Sequence, residues 1–238
     1  PSIFPGHNWM EVRPTAVQVN VPAAAVVVTD AVRNATIPPV RAESTLLAQG
    51  VWQIAGGSHN SVMVEFRDFV AVVEAPQDEN RSLSVIAEVQ RLVPNKRIQY
   101  VVNTHHHFDH SGGLRTYVAQ GTTVITHEQN KDFYERVFFY PSPRTIQPDR
   151  LSMLNPWFAG NRNRSIQTLN TKYTLSDGVR TMDIHPVQGL NHNSNMLIVY
   201  LPTEKILINA DLYSPPVPGQ PAPTVNPSIT SLNNNIQR

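Results

Sequence analysis

The segment Ile98-Gln99-Tyr100-Val101-Val102-Asn103 reads as a buried strand, and it runs without a break into Thr104-His105-His106-His107-Phe108-Asp109-His110. Any fold open to this chain must therefore present a polar, ligand-rich stretch at the C-terminal end of a strand, where sheet proteins commonly gather their chemistry. With nine histidines in 238 residues, the packing of His105, His107, Asp109 and His110 into six positions calls for a physical reason. On an extended or loop backbone, residues two apart project to the same side, so His105 and His107 can close on one ion. Asp109 and His110 fall where the chain turns toward Ser111-Gly112-Gly113 and can address a second ion nearby. Two glycines at that turn let backbone approach closely. The bland alternative is a solvated histidine-rich loop or an affinity tag. Tags sit at termini and lack interleaved aspartate, whereas this cluster lies in mid-chain behind a strand.

The chain has no cysteine, which removes disulfides, thiolate metal sites and a cysteine nucleophile together and leaves His, Asp and Glu as strong ligands. Nineteen basic against eighteen acidic residues give a formal charge of +1, so no global field draws the chain to nucleic acid or to an anionic membrane. Arg162 and Arg164, among asparagines, are the nearest thing to a basic cluster in the segment they occupy. No apolar run reaches the roughly 18 residues of a membrane span. The expected partner is a small-molecule substrate, with neither nucleic acid nor membrane; the oligomeric state is left open. The sequence begins at Pro1 without a basic-then-apolar leader. A bacterial periplasmic or secreted location is expected if a signal peptide has been removed, and a cytoplasmic one otherwise.

The apolar fraction of 40% supports one substantial core. Residues 1–45, interrupted by Pro1, Pro5, Pro14, Pro22, Pro38 and Pro39, read as an extended arm or edge strands, and 46–238 as the main domain. Val51 to Ile54, Ser61 to Phe66 and Phe69 to Glu74 read as a meander. A helix follows between Asn80, a plausible N-cap, and Pro94, with Leu83, Ile86, Val89, Leu92 and Val93 on its apolar face. Past the histidine segment come a strand at Thr123 to Thr126, a helix around Glu128 to Val137 and an irregular stretch from Pro141 to about Asn170. Strands at Met182 to Val187, Met196 to Leu201 and Lys205 to Asn209 follow, then Asp211, a proline-rich loop and a helix from Ser228. This order fits two sheets between outer helices about as well as a doubly wound sheet.

The spacing His-x-His-x-Asp-His resembles that of the metallo-β-lactamase superfamily, and the likeness extends over roughly Leu46 to Asp211. Supporting features are Gly56-Gly57-Ser58-His59-Asn60-Ser61 before an early strand and Leu201 to Asp211, which is similar to the family's strand-turn-strand ending in a metal-bridging aspartate. The resemblance implies an αββα sandwich of two mixed sheets with metals at one edge. It implies His105, His107 and His192 on a first ion, Asp109 and His110 on a second, and Asp211 between them. It also implies one or two Zn2+, with iron or manganese suited by the same donors. The activity implied is a metal-dependent hydrolase using a metal-bound hydroxide, oriented by Asp109, on an ester, lactone, thioester or amide bond. β-Lactamase activity, an iron-dependent oxidoreductase and a non-catalytic relative are the alternatives. The retained Asp211 shifts weight toward ester, lactone or thioester hydrolysis.

The family usually supplies one more histidine to the second ion, and no histidine follows His192 in this sequence. The domain is therefore expected to be incomplete at its C-terminus and its second site weak. Tyr213 and Trp157 are weak candidates for substrate contact, and Phe158 could join Trp157 in an apolar lid. His59 is another weak candidate, which would line the cleft if the Gly56-Gly57 turn points at the metals. His127 reads as a surface or helix-start residue, His185 as a packed strand residue and His106 as turned away from the ligand pair. His7 is expected to carry no role.

Overall fold

The computed structural model describes residues 13–19, 27–36, 39–139, 148–154, 166–190, 192–216 and 218–238, and the chain divides into two units, Pro1–Pro39 and Val40–Arg238. In the first unit, α1 (Asp30–Arg33) is a single turn in which the Thr29 hydroxyl accepts from the Val32 amide at 3.4 Å and Arg33 pairs with Asp30 at 3.0 Å. Four residues are too few to show a helical period, which is why the arm reading missed it.

In the second unit the chain forms β1 (Glu43–Ala48), β2 (Val51–Ala55), β3 (Ser61–Glu65) and β4 (Val70–Val73), each antiparallel to the strand before it. Helix α2 (Glu79–Leu92) then crosses to β5 (Ile98–Val102), which is parallel to β4. After α3 (Phe108–Ser111) and α4 (Leu114–Ala119), β6 (Thr123–His127) extends the parallel part. A 3-10 turn (Glu128–Asn130), α5 (Lys131–Phe139) and α6 (Arg150–Leu154) precede β7 (Ile166–Leu169), parallel to β6. The second sheet is antiparallel, in the order β11 (Ile206–Ile208), β10 (Leu197–Leu201), β9 (Thr181–Pro186), β8 (Tyr173–Ser176). Helix α7 (Pro227–Ile236) closes the chain.

Strand β4 shows how the layers are built. All four of its residues are fully buried, and side chains alternate along a strand, so both faces of the first sheet are covered. Val70 and Val72 pack with Val85, Ile86 and Val89 of α2 and with Tyr117 of α4, while Ala71 and Val73 pack with Met182, Ile184, Leu197 and Val199 of the second sheet. On the far side Met196 and Ile198 meet Leu232 of α7. The order is helices, sheet, sheet, helix, the αββα sandwich expected.

Three readings need correction. Asp78, not Asn80, caps α2: its backbone is extended and its carboxylate accepts from the Arg81 amide at 2.9 Å, leaving Asn80 inside the first turn. The buried face of α2 centres on Val85, Ile86 and Val89, with Leu83 partly exposed. The stretch from Pro141 to Asn170 contains α6 and β7, whose four or five residues are too short to print a period. Trp157, Phe158, Arg162, Arg164 and His7 lie outside the described residues. Among the described residues, no helix is long and apolar enough to cross a membrane.

Candidate metal centre

Strand β5 delivers the histidine segment to the edge where β4 and β5 both end. Glu74, the residue after β4, is buried and holds a left-handed backbone (φ 71°), which turns its carboxylate inward. Its Oε1 accepts from the Thr104 amide at 2.8 Å and its Oε2 lies 2.6 Å from His110 Nδ1. One side chain thus fixes the start of the loop and the orientation of an imidazole. Asn103 adds a second tie, donating to the His110 carbonyl at 3.1 Å and accepting from the Tyr134 hydroxyl. Gly112 and Gly113 are needed for close approach: a Cβ at Gly112 would fall 1.9 Å from the Gln77 carbonyl oxygen, and one at Gly113 2.0 Å from Ser82 Oγ.

A first group of donors converges from three separate stretches. His105 Nε2 lies 3.0 Å from His107 Nδ1 and 3.2 Å from Asp211 Oδ2, and His192 Nε2 lies 3.1 Å from the same oxygen. The His192 ring stands 5.5 Å from that of His105 and 4.8 Å from that of His107, so the loop between β9 and β10 reaches the pair. Asp211, just past β11, adopts a left-handed backbone (φ 61°).

The other carboxylate oxygen of Asp211 faces a second group. Asp211 Oδ1 is 3.2 Å from His110 Nε2, which is also 3.9 Å from Asp109 Oδ2, and Asp109 Oδ2 is 3.4 Å from His59 Nε2. The structure therefore places His59 beside Asp109 and His110. His106 turns away toward Asn193 and Phe133. His127 is buried instead of lying at the surface, and it starts the 3-10 turn by accepting from the Gln129 amide at 3.2 Å. His185 stays on β9. Tyr213 is partly exposed and lines, with His59, His110 and Asp211, a cleft of about 790 Å³.

The donor set suits a divalent ion. Burial, reinforced by the neighbouring imidazoles, lowers the pKa of His107. For His192 burial has the same effect and outweighs Asp211, which favours the neutral, ligating form of both rings. Burial alone would raise the Asp211 carboxyl, but the facing His105 and His110 hold it well below the usual carboxylate range. For His110, burial would lower the pKa, yet Asp211 and Glu74 outweigh it and push it up to about 10. Its Nε2 faces the Asp211 carboxylate at 3.2 Å without the geometry of a hydrogen bond, an arrangement that suits an ion held between them.

A family profile described as the metallo-beta-lactamase superfamily matches residues 54–223. This chain belongs to the metallo-β-lactamase superfamily. Solved structures agree on the fold of this superfamily member. A metallo-beta-lactamase from Hirschia baltica is 16% identical with a TM-score of 0.55, covering 83% of this chain and 86% of that one. The FIM-1 enzyme from Pseudomonas aeruginosa, in a mono-zinc form, is 18% identical with a TM-score of 0.55 over 84% of this chain and 85% of that one. A metallo-beta-lactamase from Pontibacter korlensis is 18% identical with a TM-score of 0.52 over 70% of each chain. No curated protein matches the chain.

Sequence reasoning missed the supports of this centre. Glu74 sits at the end of an apolar strand, and a buried acid closing such a run is the signal that could have marked it. Gln77 gives no such signal. Its amide donates to the Asp109 carbonyl at 3.3 Å and its side chain to Ser58 Oγ at 2.9 Å, contacts that only the folded chain brings together.

Proposed function

We propose that this chain is a zinc-dependent hydrolase of a small-molecule ester, lactone, thioester or amide. What supports the reading most is the division of Asp211, with one oxygen toward His105 and His192 and the other toward His110, so that a single carboxylate would be able to serve two adjacent ion positions. His105, His107, His192 and Asp211 would hold the first ion, and Asp109 and His110 the second. When bound, such ions lower the pKa of water from about 15.7 to about 7 and polarise a substrate oxygen.

The chain's own residues supply the rest. Asp109, about a third exposed and beside His59, can accept a proton from an attacking water. Tyr213 stands on the cleft wall and can donate its hydroxyl to a substrate oxygen. A cleft of about 790 Å³ falls within the range of small-molecule sites. Thr104 Oγ1, 3.1 Å from His105 Nδ1, and Glu74 at His110 Nδ1 keep both rings aimed at the centre.

Plasma-emission analysis of protein expressed without added zinc, followed by assays on lactone, thioester, phosphodiester and β-lactam substrates side by side, tests the reading. Zinc as the dominant metal with hydrolysis of a lactone, ester or thioester is expected. Iron with oxygen consumption would replace it with an oxidoreductase, and preference for the β-lactam would move the substrate class.

A further inference from the structure

We propose that His59, carried by the glycine loop between β2 and β3, is a further protein ligand of the second metal position, joining Asp109, His110 and the shared Asp211. The assignment rests on the chain being a metal protein and concerns a residue outside the clustered motif.

Distance is the first argument. Two donors about 2.05 Å from a tetrahedral zinc stand about 3.4 Å from each other. His59 Nε2 and Asp109 Oδ2 are 3.4 Å apart. A charge-assisted hydrogen bond between the same groups would be about 2.7–2.9 Å, so the gap suits a shared ion better than a direct bond. One ligand atom from each of His59, Asp109 and His110 lies within 4.8 Å of the others, and the His59 ring meets the His110 ring edge-on at 4.8 Å. The buried His110 Nε2, whose carboxylate neighbours are Asp211 Oδ1 at 3.2 Å and Asp109 Oδ2 at 3.9 Å, belongs to this set.

The back of the His59 ring supplies the second argument. A ligating imidazole is held in its tautomer by an acceptor at its other nitrogen. His110 has Glu74 there and His105 has Thr104, and His59 has Ser58 Oγ at 2.8 Å from Nδ1. Ser58 Oγ in turn accepts from Gln77 Nε2 at 2.9 Å, and the Gln77 amide donates to the Asp109 carbonyl at 3.3 Å. Gln77 therefore joins the two ligands from behind while holding a left-handed backbone (φ 66°). The loop is shaped for this contact, because a Cβ at Gly57 would fall 2.7 Å from Gln77 Oε1 and one at Gly56 2.2 Å from the Arg41 carbonyl oxygen.

Titration of the metal-stripped chain with Co2+, followed by visible absorbance and by calorimetry, tests the assignment without any substrate. The parent chain is expected to take two ions in unequal steps. His59→Gln should keep the first step and weaken the second about 100-fold, and Ser58→Ala should weaken it about 10-fold by freeing the ring, with Ser58→Thr restoring it. Circular dichroism of each variant confirms the fold. A His59→Gln second step within about twofold of the parent, or a parent chain that takes one ion, overturns the ligand role and leaves the metal-protein reading standing. A parent chain that takes no ion overturns both.

Discussion

The two halves of the centre are built in opposite ways. In the first, His105 is fully buried and its partners arrive from the loop between β9 and β10 and from the end of β11, so three distant stretches are fixed by two sheets. In the second, Asp109 and His110 share the single turn α3, and His59 hangs from a hairpin loop with a quarter or more of its side chain exposed. The first position has the fully buried His105 at its back, whereas the second draws His59 from a hairpin loop and Asp109 from a single turn, both about a third exposed. The first position should therefore be the tighter, and its ligands the less forgiving.

Asp211→Ala attacks the contrast most directly, because it removes the carboxylate that both halves use. The first step of a zinc titration should weaken by more than about 100-fold and the second should vanish; a variant that retains either step at parental affinity would show that the halves do not share this residue. Asp109→Asn should leave the first step intact and lower kcat/KM on the best substrate by about 100-fold, through loss of a proton acceptor as well as a ligand. Equal kcat/KM for variant and parent would remove Asp109 from the chemistry.

Glu74→Gln is a milder cut. The amide can still accept from Thr104, but it no longer offers His110 a charged acceptor, and the second step should weaken about 10-fold while the first moves little. An equal loss in both steps would mean that Glu74 acts on the whole loop. Smallest at the centre is Asp149→Asn, on the bidentate pair with Arg115 that ties α6 to α4. Burial would raise this carboxyl, but Arg115 and Ser152 outweigh it and hold it well below the usual range. A depressed folded pKa gives stability that is present above the unfolded value, about 4, and is lost as pH falls toward the folded one. The variant's Tm should fall by about 5 °C at neutral pH, with the deficit shrinking below about pH 4 and both metal steps unchanged.

What could be read from the sequence follows the same division. His105, His107, Asp109 and His110 announce themselves because a turn places ligands two, four and five residues apart on one centre, and spacing is what a sequence records. The strands around them were legible because β4 is apolar enough to be buried on both faces and β5 ends in the buried pair Val101 and Val102. His192 and Asp211 came from the family resemblance, not from local pattern. His59 received only a weak hint, since a lone histidine after two glycines gains its meaning from a hairpin that folds it against α3. Gln77 was invisible, and Glu74 marked only as an acid closing an apolar run, for a further reason: both act through left-handed backbone at non-glycine positions, a conformation that propensity argues against.

If both proposed positions take an ion, sharing Asp211 would keep them from being filled as independent events. An ion at the first would fix the carboxylate's direction and draw on its charge, and one at the second would do the same from the other oxygen. Whatever factor one ion imposes on the affinity for its neighbour, the neighbour must impose in return, because coupling free energy is reciprocal. Metal supply, rather than protein concentration, would then set the fraction of molecules with both positions filled, and a modest change in free zinc could be felt at both positions together.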